Sequence, residues 1–377
     1  MKILMQNRYD ALTKKGGDSF QMLLTKKYLE KTGTSVDVST ELNPDLNGYD
    51  IIHLFNITRV HETFIQFRNA KKNNKKIVLS PIYHSIFDIR NYENKNLTGI
   101  YKLIVKYLYK TDNIQLFKTL YYVHKYPKIW YSWITQFYKG YTNQQREILK
   151  NVDFILPNSN LEMSTIMQEL FNLEDIKLNY EITCNGVEDI DYVESRRVLD
   201  LLNKNNLKNY VLCPGRIEPR KNQLNIIKAL IEEKIPIIFV GGINRMHGSY
   251  FKEFLKQINR NKNLFYLGEF KQEEMNTFYK YAKVTVLASW FETTGLVGIE
   301  GGIMDCNVVM TIKGYTKEYY GDLVWYCDPE NLTSIKEAVL SSYSVNRGVK
   351  KLSSRIKKMF TWENAARKTL EIYKKLV

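Results

Sequence analysis

The chain has 377 residues, of which 55 are Lys or Arg and 40 are Asp or Glu, giving a formal net charge of +15. Hydrophobic residues make up 44% and charged residues 25%, with 19 Gly and 8 Pro, which excludes a disordered or collagen-like chain. The positive charge indicates an anionic partner: nucleic acid, anionic lipid or a phosphorylated substrate. The length favours two domains of roughly 150–200 residues, so we expect a cleft between them.

The four cysteines form no Cys-x-x-Cys pair, and the five histidines do not cluster. We therefore expect neither a zinc site nor a disulfide framework, and a reducing compartment fits. The N-terminus turns polar too early for a signal peptide, and no later apolar run reaches the roughly 18–20 residues that span a bilayer. These features predict a cytoplasmic protein without a metal site.

Short β-branched runs alternate with helical patterns along the chain, which predicts an α/β fold of parallel sheets wrapped by helices. Two doubly wound, Rossmann-like domains are expected, over 1–188 and 189–361. The polar stretch 188–209 reads as the linker, and a C-terminal helix over 362–377 is expected to pack back on the first domain or lie on the second. The predicted strands are Lys2–Gln6, Ser35–Val38, Asp50–Leu54, Ile77–Ser80, Asp153–Pro157, Glu181–Cys184, Tyr210–Pro214, Pro236–Val240, Asn263–Tyr266, Val284–Ala288, Val308–Thr311 and Leu323–Tyr326.

The first chemical motif reads Val-Leu-Cys-Pro-Gly-Arg-Ile-Glu-Pro-Arg-Lys-Asn over 211–222. We expect Arg216 at the end of a strand and Lys221 in the first turn of a helix over Pro219–Glu233. Ligands bind at that edge of an open α/β sheet, and helix N-termini favour anions, so two cations there would neutralise a diphosphate without a metal ion. The alternative is that Arg216 pairs with Glu218 or another carboxylate and that Lys221 is exposed to solvent.

The second motif reads Glu-Thr-Thr-Gly-Leu-Val-Gly-Ile-Glu over 292–300. We expect Glu292 in a loop, where it can meet a sugar, and Glu300 about two turns into a helix, further along the ligand. Backbone N–H groups at the helix start would be available to phosphate, namely those of Thr294, Gly295 and Leu296. For Glu300 alone, a structural salt bridge is the alternative.

Together the motifs resemble the retaining GT-B glycosyltransferases of the large group 1 (GT4-like) family. The family pattern is Gly-Arg followed by Lys and, further along, Glu-x7-Glu. This chain supplies the pattern in order with Gly215, Arg216, Lys221, Glu292 and Glu300. The resemblance implies that Arg216 and Lys221 bind the donor diphosphate, Glu292 the donor sugar hydroxyls and Glu300 the ribose.

Weaker patterns extend the resemblance. The segment Leu-Gly-Glu-Phe over 267–270 resembles the family's turn beside the nucleotide base, which puts Gly268 and Phe270 in the donor site. Gly16 and Gly17 resemble the N-terminal glycine loop, whose backbone approaches phosphate closely because it lacks side chains.

Two positions depart from the family pattern. The family usually has an aromatic residue where Thr294 stands, so we expect an unusual donor pocket there. It has Gly where Asn307 stands, and we expect Asn307 to supply the left-handed conformation at a helix end.

Two histidines are candidates for acid-base chemistry. The family's catalytic-region histidine follows the fourth strand, and His84 stands about there, after Ser80. A surface or capping histidine is the alternative for His84. His53, at the end of its strand, is expected to point toward the cleft edge.

Residues 101–150 break the alternation, since thirteen are aromatic and nine are Lys or Arg, against two acidic residues. Interleaved aromatics and cations are typical of an interfacial helix on an anionic membrane. The alternative is that these helices cover the first sheet and bury their aromatics. Nucleic acid uses similar chemistry, but no RNA-binding or helix-turn-helix motif is present, so nucleic acid is not expected as a partner.

The resemblance implies transfer of a sugar, with retention, from a nucleoside-diphosphate sugar bound by 189–361 to a hydroxyl of a glycan or lipid-linked acceptor bound by 1–188. The basic aromatic region favours a lipid-linked acceptor at the inner face of the plasma membrane, in capsule or lipopolysaccharide assembly. No cofactor is expected, because the nucleotide sugar is a substrate. Two alternatives stay open: a nucleotide-sugar epimerase of GT-B fold, and a noncatalytic protein that binds sugar nucleotides or nucleic acid.

Overall fold

The computed structural model describes residues 1–14, 16–96, 111–188, 192–244 and 247–377. The chain divides into two compact units. Unit 1 comprises Met1–Asn185 and Trp362–Val377, and unit 2 comprises Gly186–Thr361. Each unit contains a parallel sheet with helices around it, so the predicted α/β fold class is confirmed.

Unit 1 is built on a five-stranded parallel sheet in the order β2-β1-β3-β4-β5. Its strands are β1 (Lys2–Gln6), β2 (Ser35–Ser39), β3 (Ile51–Phe55), β4 (Lys76–Ser80) and β5 (Phe154–Ile155). β3 is buried along its whole length, as expected of a central strand covered on both faces. These five predicted strands are confirmed, although β5 is shorter than the predicted Asp153–Pro157.

The strand predicted over Glu181–Cys184 is wrong. The segment starts beside β5, where the N–H of Glu181 donates to the carbonyl of Ile155 at 3.1 Å, and a bridge joins Tyr180 to Ile155. The N–H of Thr183 still donates to the carbonyl of Pro157 at 2.9 Å, but Pro157 has no N–H with which to donate in return, so no regular ladder forms.

The helices that the structure describes in the first part of unit 1 are α1 (Gly17–Glu30), α2 (Val60–Lys72), α3 (Ile86–Asn96), α4 (Thr111–Lys125), α5 (Trp130–Lys139), α6 (Tyr141–Asn151) and α7 (Asn160–Phe171). α7 has the N-cap that its sequence favours, because Ser159 accepts a hydrogen bond from the N–H of Glu162 at 3.0 Å. Within the described ranges, no helix combines the length and apolarity that crossing a membrane requires.

Unit 2 is built on a six-stranded parallel sheet in the order β11-β10-β9-β6-β7-β8. Its strands are β6 (Val211–Pro214), β7 (Ile237–Val240), β8 (Leu264–Tyr266), β9 (Val284–Leu287), β10 (Asn307–Thr311) and β11 (Trp325–Cys327). The predicted strands are present, but β11 starts two residues late because Leu323 closes a turn onto the carbonyl of Tyr320. β6 and β9 are neighbours, so they end at the same edge of the sheet.

The helices described in unit 2 are α8 (Arg196–Lys204), α9 (Gln223–Leu230), α10 (Gly248–Arg260), α11 (Gln272–Tyr281), α12 (Leu296–Ile303), α13 (Thr316–Tyr320), α14 (Leu332–Ser344) and α15 (Leu352–Met359). The linker predicted over 188–209 is wrong where α8 lies, because Val198 and Leu202 are buried in the core of unit 2. The polar composition of α8 belongs to its solvent-facing side.

The helix predicted over Pro219–Glu233 is also corrected. Residues Pro219–Lys221 form a 3-10 turn, Asn222 adopts a left-handed conformation with φ of 63°, and α9 begins only after it. The amide of Asn222 donates to the carbonyls of Ala288 at 3.0 Å and Pro329 at 2.8 Å. These contacts with residues far along the chain fix Asn222 between the 3-10 turn and α9.

The left-handed conformation predicted for Asn307 is wrong as well. Asn307 is the first residue of β10, and its amide donates to the carbonyl of Ser342 at 2.8 Å. Asp305, with φ of 56°, takes the left-handed conformation after α12 instead.

The C-terminal helix α16 (Trp362–Leu376) belongs to unit 1 and packs against α1. Its buried Tyr373 places Oη 2.6 Å from Nδ1 of His53, whose Nε2 lies 3.0 Å from Oγ of Ser80. His53 is 1% exposed, so the expectation that it points toward a cleft edge is wrong. Burial lowers the pKa of His53 to about 3.

The low pKa of His53 predicts a pH-dependent stability of unit 1. The pKa of His53 in the folded protein, about 3, lies below the ordinary value of 6.5. The neutral ring therefore contributes its full stabilisation above pH 6.5, and this contribution is lost as the pH falls toward 3. We expect β3 amides to open more readily at about pH 5 than at about pH 7.5 in hydrogen–deuterium exchange corrected for intrinsic rates.

His53→Gln should weaken this pH dependence, whereas His124→Gln, at an exposed position of the same unit, should preserve it. Equal pH dependence in the wild type and His53→Gln would contradict the assignment.

Candidate functional site

The residues of both chemical motifs lie where β6 and β9 end. Hydrogen bonds fasten the two following loops together: the N–H of Trp290 donates to the carbonyl of Arg220 at 2.9 Å, and Asn222 reaches the carbonyl of Ala288. Side chains that are about seventy residues apart in the chain are therefore held at one edge of one sheet.

Glu292 is the buried centre of this edge. Its Oε1 accepts hydrogen bonds from Nζ of Lys221 at 2.6 Å and from the guanidinium of Arg220 at 3.2 Å. The side chain of Lys221 is 14% exposed, so the alternative of a solvent-exposed lysine is wrong. Lys221 lies in the 3-10 turn rather than in the first turn of a helix.

Glu218 connects this pair to Arg216. One Glu218 oxygen lies 3.7 Å from the guanidinium of Arg216 and accepts a hydrogen bond from Asn244 at 2.9 Å, and the other lies 3.5 Å from Nε of Arg220. The side chain of Arg216 nevertheless remains 47% exposed. The result is a charge chain of alternating sign, formed by Arg216, Glu218, Arg220, Glu292 and Lys221.

The charge chain sets the ionisation of its members. Burial raises the pKa of Glu292, but Lys221 and Arg220 outweigh it and bring that pKa to about 2. Burial lowers the pKa of Lys221, and Glu292 only partly offsets this effect. Burial likewise opposes ionisation of Glu218, but Arg220 and Arg216 lower its pKa overall. Each buried carboxylate is thus kept anionic by cations within 4 Å.

Glu300 is in a different environment. It is the fifth residue of α12, about one turn into the helix rather than the predicted two. Its carboxylate accepts hydrogen bonds from the hydroxyl of Tyr279 and the amide of Gln272, both at 2.7 Å. The alternative of a salt bridge is wrong as far as the described residues go, and burial raises the pKa of Glu300.

The loop between Glu292 and α12 is held by its carbonyl groups. The hydroxyl of Tyr320 donates to the carbonyls of Thr294 at 3.1 Å and Gly295 at 2.7 Å, just before Leu296 starts the helix. Gly295, with φ of 67°, makes the left-handed turn that redirects the chain into α12. The donor roles of these residues stay predictions.

The loop after β10 supports Glu292 from the other side. A bridge joins Glu292 to Gly314, which has φ of 81°. A Cβ on Gly314 would lie 1.9 Å from the carbonyl oxygen of Glu292, so the close approach requires glycine.

The turn at Gly268 and Phe270 follows β8. Gly268, with φ of 81°, accepts a hydrogen bond from the N–H of Gly241 at 2.8 Å. The ring of Phe270 packs between Phe278, at 4.9 Å between ring centres, and the guanidinium of Arg197, at 4.6 Å. The turn leads into α11, which carries both hydrogen-bond donors of Glu300.

Gly16 directly precedes α1 in unit 1, and Gly17 is the first residue of that helix. A Cβ on Gly16 would lie 2.8 Å from a carboxylate oxygen of Asp18, whereas a Cβ on Gly17 would meet no atom within 4 Å. Asp18 is buried and accepts a hydrogen bond from Arg8 at 2.7 Å. The structure therefore gives Gly16 a steric role, and the predicted phosphate contact of both glycines remains a prediction.

The sequence did not reveal the ion network beside these glycines. Arg8 bonds Asp10 as well as Asp18, Arg59 also bonds Asp10, and Arg59 pairs with the buried Glu62. No spacing rule marks these residues, because the partners come from the loops after β1 and β3 and from the first turns of α1 and α2.

His84 lies in the loop after β4, where it was expected. It is half-buried and lines a small cavity with Arg90, Glu93 and Tyr141. Its catalytic role stays a prediction. Since His53 is enclosed, the epimerase alternative has lost one of its two candidate acid-base residues.

Sequence reasoning missed Arg220 and Tyr320 at this sheet edge. It named Glu218 only as the alternative partner of Arg216, and the structure shows that pairing at 3.7 Å. The signal for Arg220 was present, since it directly precedes Lys221 in the first motif. Its significance was hidden because its partners, Phe291 and Glu292, lie some seventy positions later.

Residues 101–150 lie only partly in the described chain, because 101–110 fall outside it. The alternative of buried aromatics holds for Tyr141, which joins the core of unit 1. α4 and α5 nevertheless expose an aromatic face with side chains between 38% and 83% exposed, formed by Phe117, Leu120, Tyr121, Trp130, Ile134, Phe137 and Tyr138. The helices therefore pack on unit 1 with one side and face solvent with the other.

Comparison with known proteins finds a family match in the second half of the chain. Residues 199–359 match the family model of Glycosyl transferases group 1. The chain is 26% identical over 246 residues to O-antigen chain mannosyltransferase B of Escherichia coli, covering 61% of this chain and 62% of the relative. It is 24% identical over 208 residues to an uncharacterized glycosyltransferase, MJ1607, of Methanocaldococcus jannaschii, covering 52% and 50%. The chain thus spans about half to three fifths of these curated relatives.

Solved structures with low identity show the same fold. Sucrose-phosphate synthase of Thermosynechococcus elongatus has a TM-score of 0.74 at 13% identity, covering 100% of this chain and 99% of that one. HepE of Anabaena, solved in complex with UDP, has a TM-score of 0.67 at 15% identity, with 100% of both chains covered. The protein therefore has the GT-B fold, and its residues 199–359 match the model of the Glycosyl transferases group 1 family.

Proposed function

We propose that this protein transfers a hexosyl group, with retention, from a nucleoside-diphosphate sugar to a hydroxyl of a glycan or lipid-linked acceptor. The charge chain is the observation that carries the proposal. It ends in two cations, Arg216 and Lys221, at the edge of the sheet where α/β proteins bind nucleotides. The UDP bound to HepE, and the UDP and glucose in a second HepE complex, support a nucleotide donor.

The proposed chemistry is stabilisation of a diphosphate leaving group. As the bond between the anomeric carbon and the phosphate oxygen breaks, negative charge develops on the diphosphate. Arg216 and Lys221 would neutralise it, together with N–H groups at the start of α12. Two protein cations supply the charge that a metal ion would otherwise provide, so we expect turnover without added metal.

In the proposed front-face route, configuration is retained because the acceptor oxygen attacks the face from which the diphosphate departs. In the proposed step, the acceptor hydroxyl forms the new bond to the anomeric carbon and passes its proton to the departing phosphate oxygen. Glu292 would hold the sugar hydroxyls and Glu300 the ribose, while Gly268 and Phe270 would border the base. In unit 1, the backbone of Gly16 and Gly17 would approach phosphate, and His84 would be the catalytic histidine.

The acceptor is proposed to be part of an envelope polysaccharide. The name of the Escherichia coli relative, an O-antigen chain mannosyltransferase, supports this class of acceptor. Such acceptors are carried on lipid when they are built at a membrane, so a transferase for them benefits from contact with the bilayer. We propose a cytoplasmic protein that binds the inner face of the plasma membrane peripherally.

The aromatic face of α4 and α5 supports the membrane contact. Phe137 and Tyr138 are 58% and 83% exposed, and residues 113–139 contain four lysines and no acidic residue. Aromatic rings favour the headgroup region, and each lysine near an anionic surface contributes about 1 kcal/mol. This combination fits an anionic bilayer.

Nucleotide binding can be tested directly by thermal shift. We expect one of UDP, GDP, ADP and CMP to raise the melting temperature of the wild type, because a ligand that binds only the folded state stabilises it. No response to any of the four would contradict the donor site.

Arg216→Ala and Lys221→Ala should each lower kcat/KM by about 10²- to 10³-fold, since each removes a charge that stabilises the leaving group. Donor turnover, measured as release of nucleoside diphosphate, checks this. Arg260→Gln is the matched control, because Arg260 is an exposed residue of unit 2 at the end of α10. Near-normal activity of Arg216→Ala would refute its assignment.

Flotation with liposomes tests the aromatic face. We expect the wild type to float with vesicles of phosphatidylcholine and about one third phosphatidylglycerol, and less so in high salt or with phosphatidylcholine alone. Phe137→Ser/Tyr138→Ser should reduce flotation severalfold. Leu173→Ser/Val193→Ser, at positions 70% and 77% exposed elsewhere on the chain, should not. Unchanged flotation of the aromatic variant would exclude this face.

A further inference from the structure

Arg220 is held more firmly than the two cations of the sequence motif. Its guanidinium donates to the carbonyl of Phe291 at 3.1 Å and to Glu292 at 3.2 Å, while its Nε lies 3.5 Å from Glu218. It also lies 5.5 Å from the centre of the Phe291 ring. The backbone of Arg220 is fixed by Trp290. Arg220 therefore cannot turn toward a ligand without losing contacts to both loops.

Lys221 is held by fewer groups. Among the described residues, Glu292 is the carboxylate within 4 Å of its Nζ. A lysine ammonium on a flexible stem can exchange one oxygen partner for another with little rearrangement. A phosphate oxygen that enters the site would compete with Glu292 for Lys221.

Such an exchange would leave Glu292 without its nearest cation. Glu292 is 8% exposed, and a buried carboxylate that loses its partner is strongly destabilised. Arg220 would still lie 3.2 Å from the same oxygen, anchored independently of Lys221. One cation can thus leave while the other stays.

We propose that Arg220 is a positioning residue that keeps Glu292 anionic and in place while Lys221 exchanges Glu292 for the diphosphate of the donor. The proposal rests on the proposed function of this edge as a nucleotide-sugar site. It separates two roles among adjacent cations: Lys221 contacts the ligand, and Arg220 compensates the carboxylate that Lys221 leaves.

The proposal predicts a specific coupling between Arg220 and Glu292. In Arg220→Met, Glu292 and Lys221 become an isolated buried pair, so Lys221 is bound more tightly and the diphosphate must compete harder for it. Removing the charge of Glu292 as well should release Lys221. The second substitution should therefore rescue binding of the diphosphate that the first one weakens.

Isothermal titration calorimetry tests this with the nucleoside diphosphate selected by the thermal-shift series, without a sugar. A ligand that lacks the sugar separates the exchange of Lys221 from contacts of Glu292 with sugar hydroxyls. We expect Kd to rise about tenfold in Arg220→Met, corresponding to about 1.4 kcal/mol. Kd should stay near the wild-type value in Arg220→Lys and return to within about threefold of it in Arg220→Met/Glu292→Gln.

Arg260→Gln serves as the charge-matched control. It removes one positive charge from unit 2 just before β8 starts, at the opposite edge of the sheet from the charge chain. Its Kd should equal that of the wild type, which excludes a general loss of positive potential. A melting temperature for each variant checks folding. A merely structural role of Arg220 would leave the double variant at least as weak as Arg220→Met.

Three results decide the matter. If the wild type binds none of the nucleoside diphosphates, the proposed function fails and this inference fails with it. If the wild type binds but Arg220→Met binds equally well, the inference alone is overturned. Weak binding by Arg220→Met without recovery in the double variant also overturns it, because the loss then does not pass through Glu292.

Discussion

The sheet edge of unit 2 where β6 and β9 end depends on one constraint: the carboxylate of Glu292 is buried, and its charge must be compensated there. Lys221 and Arg220 provide the charge, and both come from the loop after the neighbouring strand β6. The cost of an unpaired buried carboxylate is large enough to hold two loops together. Hydrogen bonds from Asn222 and Trp290 then complete the junction. The same constraint makes the site responsive, because an anionic ligand can change which cation serves Glu292.

The two carboxylates of the second motif illustrate how far environment separates identical side chains. Glu292 is surrounded by cations, and its pKa is lowered to about 2. Glu300, about one turn into α12, is surrounded by neutral donors, and its pKa is raised. Because Glu292 is an anion surrounded by cations, it suits a position close to the group on which charge develops during transfer. A carboxylate that already accepts hydrogen bonds from Tyr279 and Gln272 suits recognition of hydroxyl groups, as proposed for the ribose.

Buried ion pairs also connect the segments at the sheet edge of unit 1, although no sequence motif marks them. Arg8 and Arg59 share Asp10, and through Asp18 and Glu62 they tie the loop after β1 to the starts of α1 and α2. Buried ion pairs thus organise loops where no ladder of backbone hydrogen bonds is available. In both units the loops that follow the strands are positioned by charge, and the strands beneath them by apolar packing.

The sequence by itself determined the α/β class, nearly every strand and the five motif residues that lie at or near the ends of β6 and β9. β-branched runs indicate burial from the local sequence alone. The order of Gly215, Arg216, Lys221, Glu292 and Glu300 along the chain can be read without knowing the fold. Only the tertiary structure decided which groups meet. The helix break at Asn222, the pairing of Lys221 with Glu292 and the part played by Arg220 each depend on partners about seventy or more positions away. Local patterns carry no information about such partners, because hydrogen bonds and ion pairs depend on distance in space and not on separation along the chain.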